Sequence, residues 1–471
     1  MLDRTLGTGE MKPFEHGGDV AAFGTCDGVE HGRGPPDNKS RDTTPEQQHF
    51  QRFWRSCSGR YVAGLIRRQP SVIDVLHRCC GLAEAAAEPS AVYATATPAS
   101  GEAGDGSSSE RNAATGLRAG SVDDNADYAA YLEYSTRLNT EGIATRPFDP
   151  AGRIVVTAIG SNGLPLAGVP VIVSAGDGQV AEIRTTANGT ARLLPGLYNA
   201  GDEATFTFRA GAAVASAAQG ETVTLTLDTP GGVQGPVAVD VLFLLDATGS
   251  MGDEIDQLKM TIDQVAADVA ALAGDPDVRF AFTLYRDPGD VFVTTSFDFT
   301  GDVDEFRTAL AAVIADGGGD YPEALEEGLA EALTGPAWRD PATTLQLMFL
   351  VADASPRLDR QVPVDYPASI RDAVRRGIKV FPIASSESDD QTEMVFRQLA
   401  VATGARFVFL SYGAAGAATG ASSDIGPTDY EEMSLDALVL RFIAEELSTL
   451  TGADVPVPTT VSPPVTNPPG Q

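Results

Sequence analysis

Cysteine and histidine are nearly missing from this chain, and the few present sit at one end: Cys26, Cys57, Cys79, Cys80, His16, His31, His49 and His77 all precede Gly81. Beyond that point no disulfide can form, and no imidazole or thiol is available as base or nucleophile. The cysteines and histidines before it lack the C-x-x-C or H-x-x-x-H spacing of a structural zinc site. Basic charge is scarce as well. Lys and Arg number 33 against 65 acids, a formal net charge of -32, and after residue 90 the count is 22 against 53. So acidic a chain repels phosphate backbones, which excludes nucleic acid as the expected partner and leaves cations and basic surfaces. Long apolar runs are absent too. The longest, Val237 to Leu245, is broken by Asp240 and falls short of the ~18 residues a membrane span needs. No secretory signal is legible after Met1, because the opening residues contain no apolar segment of the required length.

What is present is a 43% apolar composition over 471 residues, enough for two or three domains. Residues 1–121 read as a disordered leader and linker, ending in an Ala, Gly, Ser and Glu-rich run that buries too little apolar surface to offset chain entropy. Residues 122–150 hold a short helix, with Tyr128, Tyr131, Leu132, Tyr134 and Leu138 on one face. From 151 to 229 short β-rich runs such as RIVVTAIG, VPVIVSAG, ATFTFRAG and TVTLTLD predict a small all-β sandwich. Asn188-Gly189 predicts a type I′ hairpin within it, a turn that needs positive φ at both positions.

Between 237 and 452 strands alternate with helices, which predicts an α/β fold with a doubly wound, mostly parallel sheet. Six strands are expected: Val239 to Leu245, Val278 to Tyr285, Val291 to Phe297, Leu345 to Val351, Lys379 to Ala384 and Arg406 to Leu410. Ile255, Leu258, Ile262, Val265, Val269 and Leu272 step along one face of the first helix. The tail, 453–471, is proline-rich and expected to be disordered or extended.

Three loops carry chemistry. Asp246-Ala247-Thr248-Gly249-Ser250 follows an apolar strand and precedes a helix, so a carboxylate and two hydroxyls are set at alternate positions, as an oxygen-loving divalent cation requires. A helix cap is the plainer use of such an Asp. Gly317-Gly318-Gly319-Asp320-Tyr321-Pro322-Glu323 bends sharply and offers Asp320, although Asp320 with Glu323 also has capping-box spacing. Asp353 ends the apolar strand LMFLV, and adjacent strand ends in a doubly wound sheet form a crevice.

Strand-D-x-T-x-S-helix, then a Gly-rich turn with Asp, then strand-Asp resembles the metal-ion-dependent adhesion site of the von Willebrand factor type A domain. The segment before it resembles, more loosely, immunoglobulin-like and carboxypeptidase-regulatory-like sandwiches. The resemblance implies a Rossmann-like α/β sheet that holds Mg2+, or Mn2+ or Ca2+, by Thr248 and Ser250 directly and by Asp246 and Asp353 directly or through water. Asp320 stands where many members have threonine, which makes the site richer in carboxylate and less receptive to an acidic ligand. Arg286 is expected to answer that excess by pairing with Asp320 or Asp287, and Tyr285, Arg286, Asp287 and Tyr321 are expected to line the rim. The function implied is a cation-dependent protein-binding module, adhesive or scaffolding, extracellular or on a cell surface, and not an enzyme. One alternative keeps the fold as an intracellular partner of a AAA+ machine. Another, a haloacid-dehalogenase-type phosphatase using Lys379 and Asp389-Asp390, needs an acid two residues after its nucleophile, where this chain has Thr248.

Overall fold

The computed structural model describes residues 118–233, 236–270, 272, 275–319, 321–385, 388–411, 431–452 and 455–456. The expected leader up to residue 117 and the proline-rich tail from 457 lie outside the described residues.

The large sheet forms where apolar runs can be buried on both faces. Its strands are β1 (Arg118–Val122), then, after seven strands of a smaller unit, β9 (Ala238–Asp246), β10 (Asp277–Tyr285), β11 (Thr294–Thr300), β12 (Thr344–Ala352), β13 (Lys379–Ala384), β14 (Phe407–Ser411) and β15 (Glu431–Ser434). Their order is β11-β10-β9-β12-β13-β14-β1-β15. The five from β10 to β14 in that order are mutually parallel, while β11, β1 and β15 join antiparallel. The six expected strands are present in the expected class of sheet, and two more extend it. One of these, β1, lies in the stretch that composition assigns to linker. Its sequence RAGSV has little strand character of its own, and the conformation comes from β14 and β15 on its two sides.

Side chains of β9 alternate between the two faces. Val239, Val241, Phe243 and Leu245 meet helices α2 (Gly252–Ala270), α3 (Val303–Ala311) and α7 (Leu435–Thr451). Phe243, Phe349 and Phe381 stand in register on neighbouring strands and stack at 5.7 and 5.1 Å, with Phe442 of α7 closing the row at 5.0 Å. Each such ring contributes at most roughly 3 kcal/mol by leaving water. Leu242 and Leu244 face the other way, toward α4 (Leu325–Thr334), α5 (Tyr366–Arg376) and α6 (Asp390–Thr403).

The same second face also receives the smaller unit. It comprises two sheets, β5-β2-β8 and β4-β3-β6-β7, drawn from β2 (Ile154–Ile159), β3 (Pro170–Ala175), β4 (Gly178–Arg184), β5 (Thr190–Leu193), β6 (Thr205–Ala210), β7 (Ala213–Ala218) and β8 (Thr222–Thr226). Val156, Val171, Val173, Ile183, Phe206 and Phe208 fill its interior. The turn at Asn188-Gly189 differs from expectation: only Gly189 has a positive φ, 71°. Thr186 and Thr190 close a three-residue loop instead, and the Asn188 carboxamide oxygen accepts from the Thr190 N–H and hydroxyl. Strands β4 and β5 then pair in different sheets.

Helix α1 (Tyr128–Glu141) is capped by Asp127 and lies on α6, where Arg397 makes a bidentate bond to Asp124 at 2.9 and 2.6 Å and sits 3.7 Å over the Tyr134 ring. Two arginines of the smaller unit face the carboxyl ends of α5 and α6. Arg184 donates to the Arg375 carbonyl and packs on Gly377, and the Arg192 guanidinium crowds Gly404. The negative ends of both helix dipoles point there, which suits buried cations. Even so, burial, with Arg153 nearby, pulls Arg192 down to about 10.

Candidate functional site

Asp246 ends β9, and Asp353 follows β12 by one residue. Those strands are neighbours with Leu245 opposite Val351, so both carboxylates stand at the carboxyl edge of the sheet. The chain leaves β9 toward β10 on one side and meets β12 on the other, which makes this edge a topological switch point.

The first loop turns back on itself at once. Asp246 Oδ1 accepts from the Thr248 N–H at 2.9 Å and the Thr248 hydroxyl at 2.7 Å, and Thr248 Oγ1 lies 3.2 Å from the Ser250 hydroxyl. Asp246 and Thr248 are buried, whereas Ser250 is exposed at the mouth. Asp246 Oδ2 is buried with no hydrogen-bond partner, and the Tyr285 hydroxyl approaches the group without closing a bond of normal geometry. Burial, then the charge of Asp353, push the Asp246 carboxyl up to about 7. An α-helix cap, the plainer use of this Asp, is not what it does, since its bonds go to Thr248 before a 3-10 turn at Gly249–Met251.

The glycine loop packs against this one. Gly249 N–H donates to the Gly317 carbonyl at 3.1 Å, and Gly318 N–H to Asp290 at 2.9 Å. Gly317 and Gly318 have φ of 81° and 72°, and a Cβ on Gly317 would lie 2.4 Å from Asp290 Oδ2, so the loop needs glycine there. Asp320 lies outside the described residues. Its capping-box partner does something else. Helix α4 begins only at Leu325, because Glu323 is held by Ser355 and Arg357 through backbone bonds of 3.0 Å each, and its side chain is buried. A Cβ on Gly318 would touch Glu323 Oε1 at 3.0 Å and Thr248 Cβ at 3.1 Å, so Glu323 reaches the Thr248 loop. Burial and the charges of Asp246, Asp287 and Asp353 hold its carboxyl far above the ordinary range. Glu323 is the site residue that sequence reasoning assigned elsewhere; the signal was in plain view, an acid three residues after Asp320.

The expected rim is largely interior. Tyr285 is fully buried, and Arg286 and Asp287 are nearly so, because β11 folds back over the end of β10 and encloses them. Only Tyr321 is exposed, and its hydroxyl bonds Thr392 Oγ1 at 2.8 Å and the Asp353 carbonyl at 3.3 Å. Arg286 does not pair with Asp287. It donates to the carbonyls of Ala247 at 2.9 Å and Ile314 at 2.6 Å and lies 4.0 Å from Asp316. Asp287 belongs to Arg357, through contacts of 3.0, 3.1 and 2.6 Å. Lys379 sits at the opposite edge of the sheet, paired with Glu446, away from Asp246, while Asp389 caps α6 on the Tyr321 side of the site.

Among the described residues no three acidic, histidine or cysteine side chains converge as a ready-made cage. An ion would therefore depend on hydroxyls and water beside the carboxylates. The donors fit a hard cation: all are oxygens, and Asp246 Oδ2 is among the buried carboxylate oxygens with no hydrogen-bond partner.

A sequence model described as the von Willebrand factor A domain matches residues 240–411. This region is a von Willebrand factor A domain. The chain is 31% identical over 118 residues to alpha-protein kinase vwkA of Dictyostelium discoideum, covering 25% of this chain and 18% of that one. It is 34% identical over 120 residues to von Willebrand factor A domain-containing protein 7 of Rattus norvegicus, covering 26% and 12%. The match thus spans less than a fifth of either relative. Among solved structures, BatB from Bacteroides thetaiotaomicron aligns at 11% identity and a TM-score of 0.31, over 46% of this chain and 100% of that one. Proximal thread matrix protein 1 of the mussel byssus, in a form with a zinc-occupied MIDAS motif, aligns at 13% and 0.28, over 37% and 43%. Such domains are typically protein-interaction modules, and no helix among the described residues is long and apolar enough to cross a membrane.

Proposed function

We propose that this chain is a non-catalytic, divalent-cation-dependent protein-binding module whose ion sits against Asp246, Thr248, Ser250 and Asp353. One observation carries the reading: a fully buried carboxylate, Asp246, has one oxygen tied to Thr248 and the other with no hydrogen-bond partner, beside a second buried carboxylate. A buried anion without a counter-charge is costly, and a cation is what removes that cost. Oxygen donors alone favour Mg2+, with Mn2+ and Ca2+ as substitutes. Glu323 holds a proton or a ligand position in the same cluster. The domain contains no histidine or cysteine, so imidazole–hydroxyl and thiol-based catalytic pairs are not available to it, which is consistent with a binding role.

Thermal unfolding with increasing Mg2+, Mn2+ or Ca2+ tests the reading. At a hundredfold excess over Kd the ion stabilises by about 2.7 kcal/mol, a rise of a few degrees. Thr248→Val with Ser250→Ala is expected to abolish the rise and also to lower the metal-free midpoint by a few degrees, because the buried Asp246 carboxylate loses the Thr248 hydroxyl. A rise of equal size in that variant removes the site from these loops.

A further inference from the structure

The mouth of the site has a surface of its own. Val291 is 90% exposed, Ile314 68% and Tyr321 45%, and these are among the few large apolar side chains that the described residues expose. Isolated exposed apolar residues mean little, but these three border one set of loops. Val291 lies in the turn between β10 and β11, and Ile314 in the loop after α3. Arg286 locks the two together, with its guanidinium 4.5 Å over the Phe292 ring and bonded to the Ile314 and Ala247 carbonyls. That loop continues to Gly317, which holds Gly249 beside the exposed Ser250. Tyr321 stands on the Asp353 side, fixed by its hydroxyl. Apolar contacts therefore bracket the mouth, and both are held before any partner arrives.

Charge decides what fits. The guanidinium groups near the mouth face inward and are engaged, Arg286 on carbonyls and Arg357 on Asp287. The acids face out, with Asp316 75% and Asp359 71% exposed. Behind them lie the buried carboxylates Asp246 and Asp353, whose charge one divalent ion would balance, and Glu323, which burial keeps protonated, so the exposed acids set the sign of the outward field.

We propose that this mouth docks a protein segment that places lysine or arginine beside leucine-like or aromatic side chains, with Val291 and Ile314 as the apolar anchors and Asp316 and Asp359 as the charge partners. The proposal rests on the reading of this edge as a protein-binding site. It differs from capture of an acidic group by the ion, for which the outward field has the wrong sign.

Selection from a phage-displayed random peptide library on the intact chain in Mg2+ tests it, followed by fluorescence anisotropy of the selected synthetic peptides. The expected consensus is basic and apolar. Its affinity falls at least about tenfold on Val291→Ser/Ile314→Ser, and by a smaller, salt-dependent factor on Asp316→Lys. A consensus of Asp or Glu that ignores Val291→Ser/Ile314→Ser overturns the proposal, as does selection that yields no consensus. The wild-type Mg2+ isotherm scores the cation reading separately, so either idea can fail while the other stands.

Discussion

At the residue scale, the chemistry of the site comes down to carboxylates that the fold buries before any ion arrives. Asp246 is raised from 3.8 to about 7, so the folded metal-free chain keeps a proton that the unfolded chain has released. Its contribution to stability is complete below 3.8 and is lost as pH rises through about 7. Glu323, raised in the same direction, extends the loss to higher pH. Melting curves in chelator are expected to show a midpoint that falls across this range. In saturating Mg2+ the fall is expected to be shallower, because the ion replaces the protons, and Mg2+ affinity climbs by up to about tenfold per pH unit over the same interval. Asp246→Asn is expected to flatten the chelator curve; an unchanged slope would place the titrating group elsewhere. The Asp, Thr and Ser of the first loop were legible because their spacing is local. Glu323 was not, since its i,i+3 relation to Asp320 reads as a cap until the backbone pairing with Ser355 and Arg357 moves the helix start to Leu325. Arg286 and Asp287 read as rim because they follow a strand, and only the return of β11 buries them.

At the scale of elements, the site is stiffened by how closely α4 approaches β10. Gly328 of α4 rests on the Tyr285 ring, where an added Cβ would lie 2.7 Å from a ring carbon. Tyr285 in turn lies against Asp246. Gly328→Ala is expected to destabilise the chain by about 1–3 kcal/mol, the cost of overpacking, and to weaken Mg2+ binding by displacing Tyr285. Chemical denaturation with a parallel metal titration checks both, and full stability would show that the helix can retreat freely. Helices and parallel strands were readable from periodicity because each buries one stripe or both faces. Strands β1 and β7 were not, for RAGSV and AVASAA carry small side chains with weak strand preference, and their conformation is set by the neighbours they pair with. The expected hairpin at Asn188 was right as a turn and wrong in type, since its side-chain hydrogen bonds substitute for a second positive φ.

At the scale of the molecule, the smaller unit and the von Willebrand factor A domain share one buried cluster that runs from Val156 and Phe208 to Leu350 and Phe396. Strand β1, from before the smaller unit, fills a place in the large sheet between β14 and β15. Removing residues up to 122 is therefore expected to bare the β14 edge and leave a chain that self-associates, visible as larger species in light scattering. A monomer as stable as the parent would show β1 to be dispensable. None of this was legible from composition, because the pairing joins segments almost three hundred residues apart, such as Ala119 with Leu410. The central claim concerns the edge that this architecture supports, and calorimetric titration of the intact chain with Mg2+ tests it most directly. The account predicts one saturable site in the wild type, with proton release near neutral pH, and no saturable heat in Asp246→Ala. Absence of binding in the wild type, or equal binding in the variant, would contradict it.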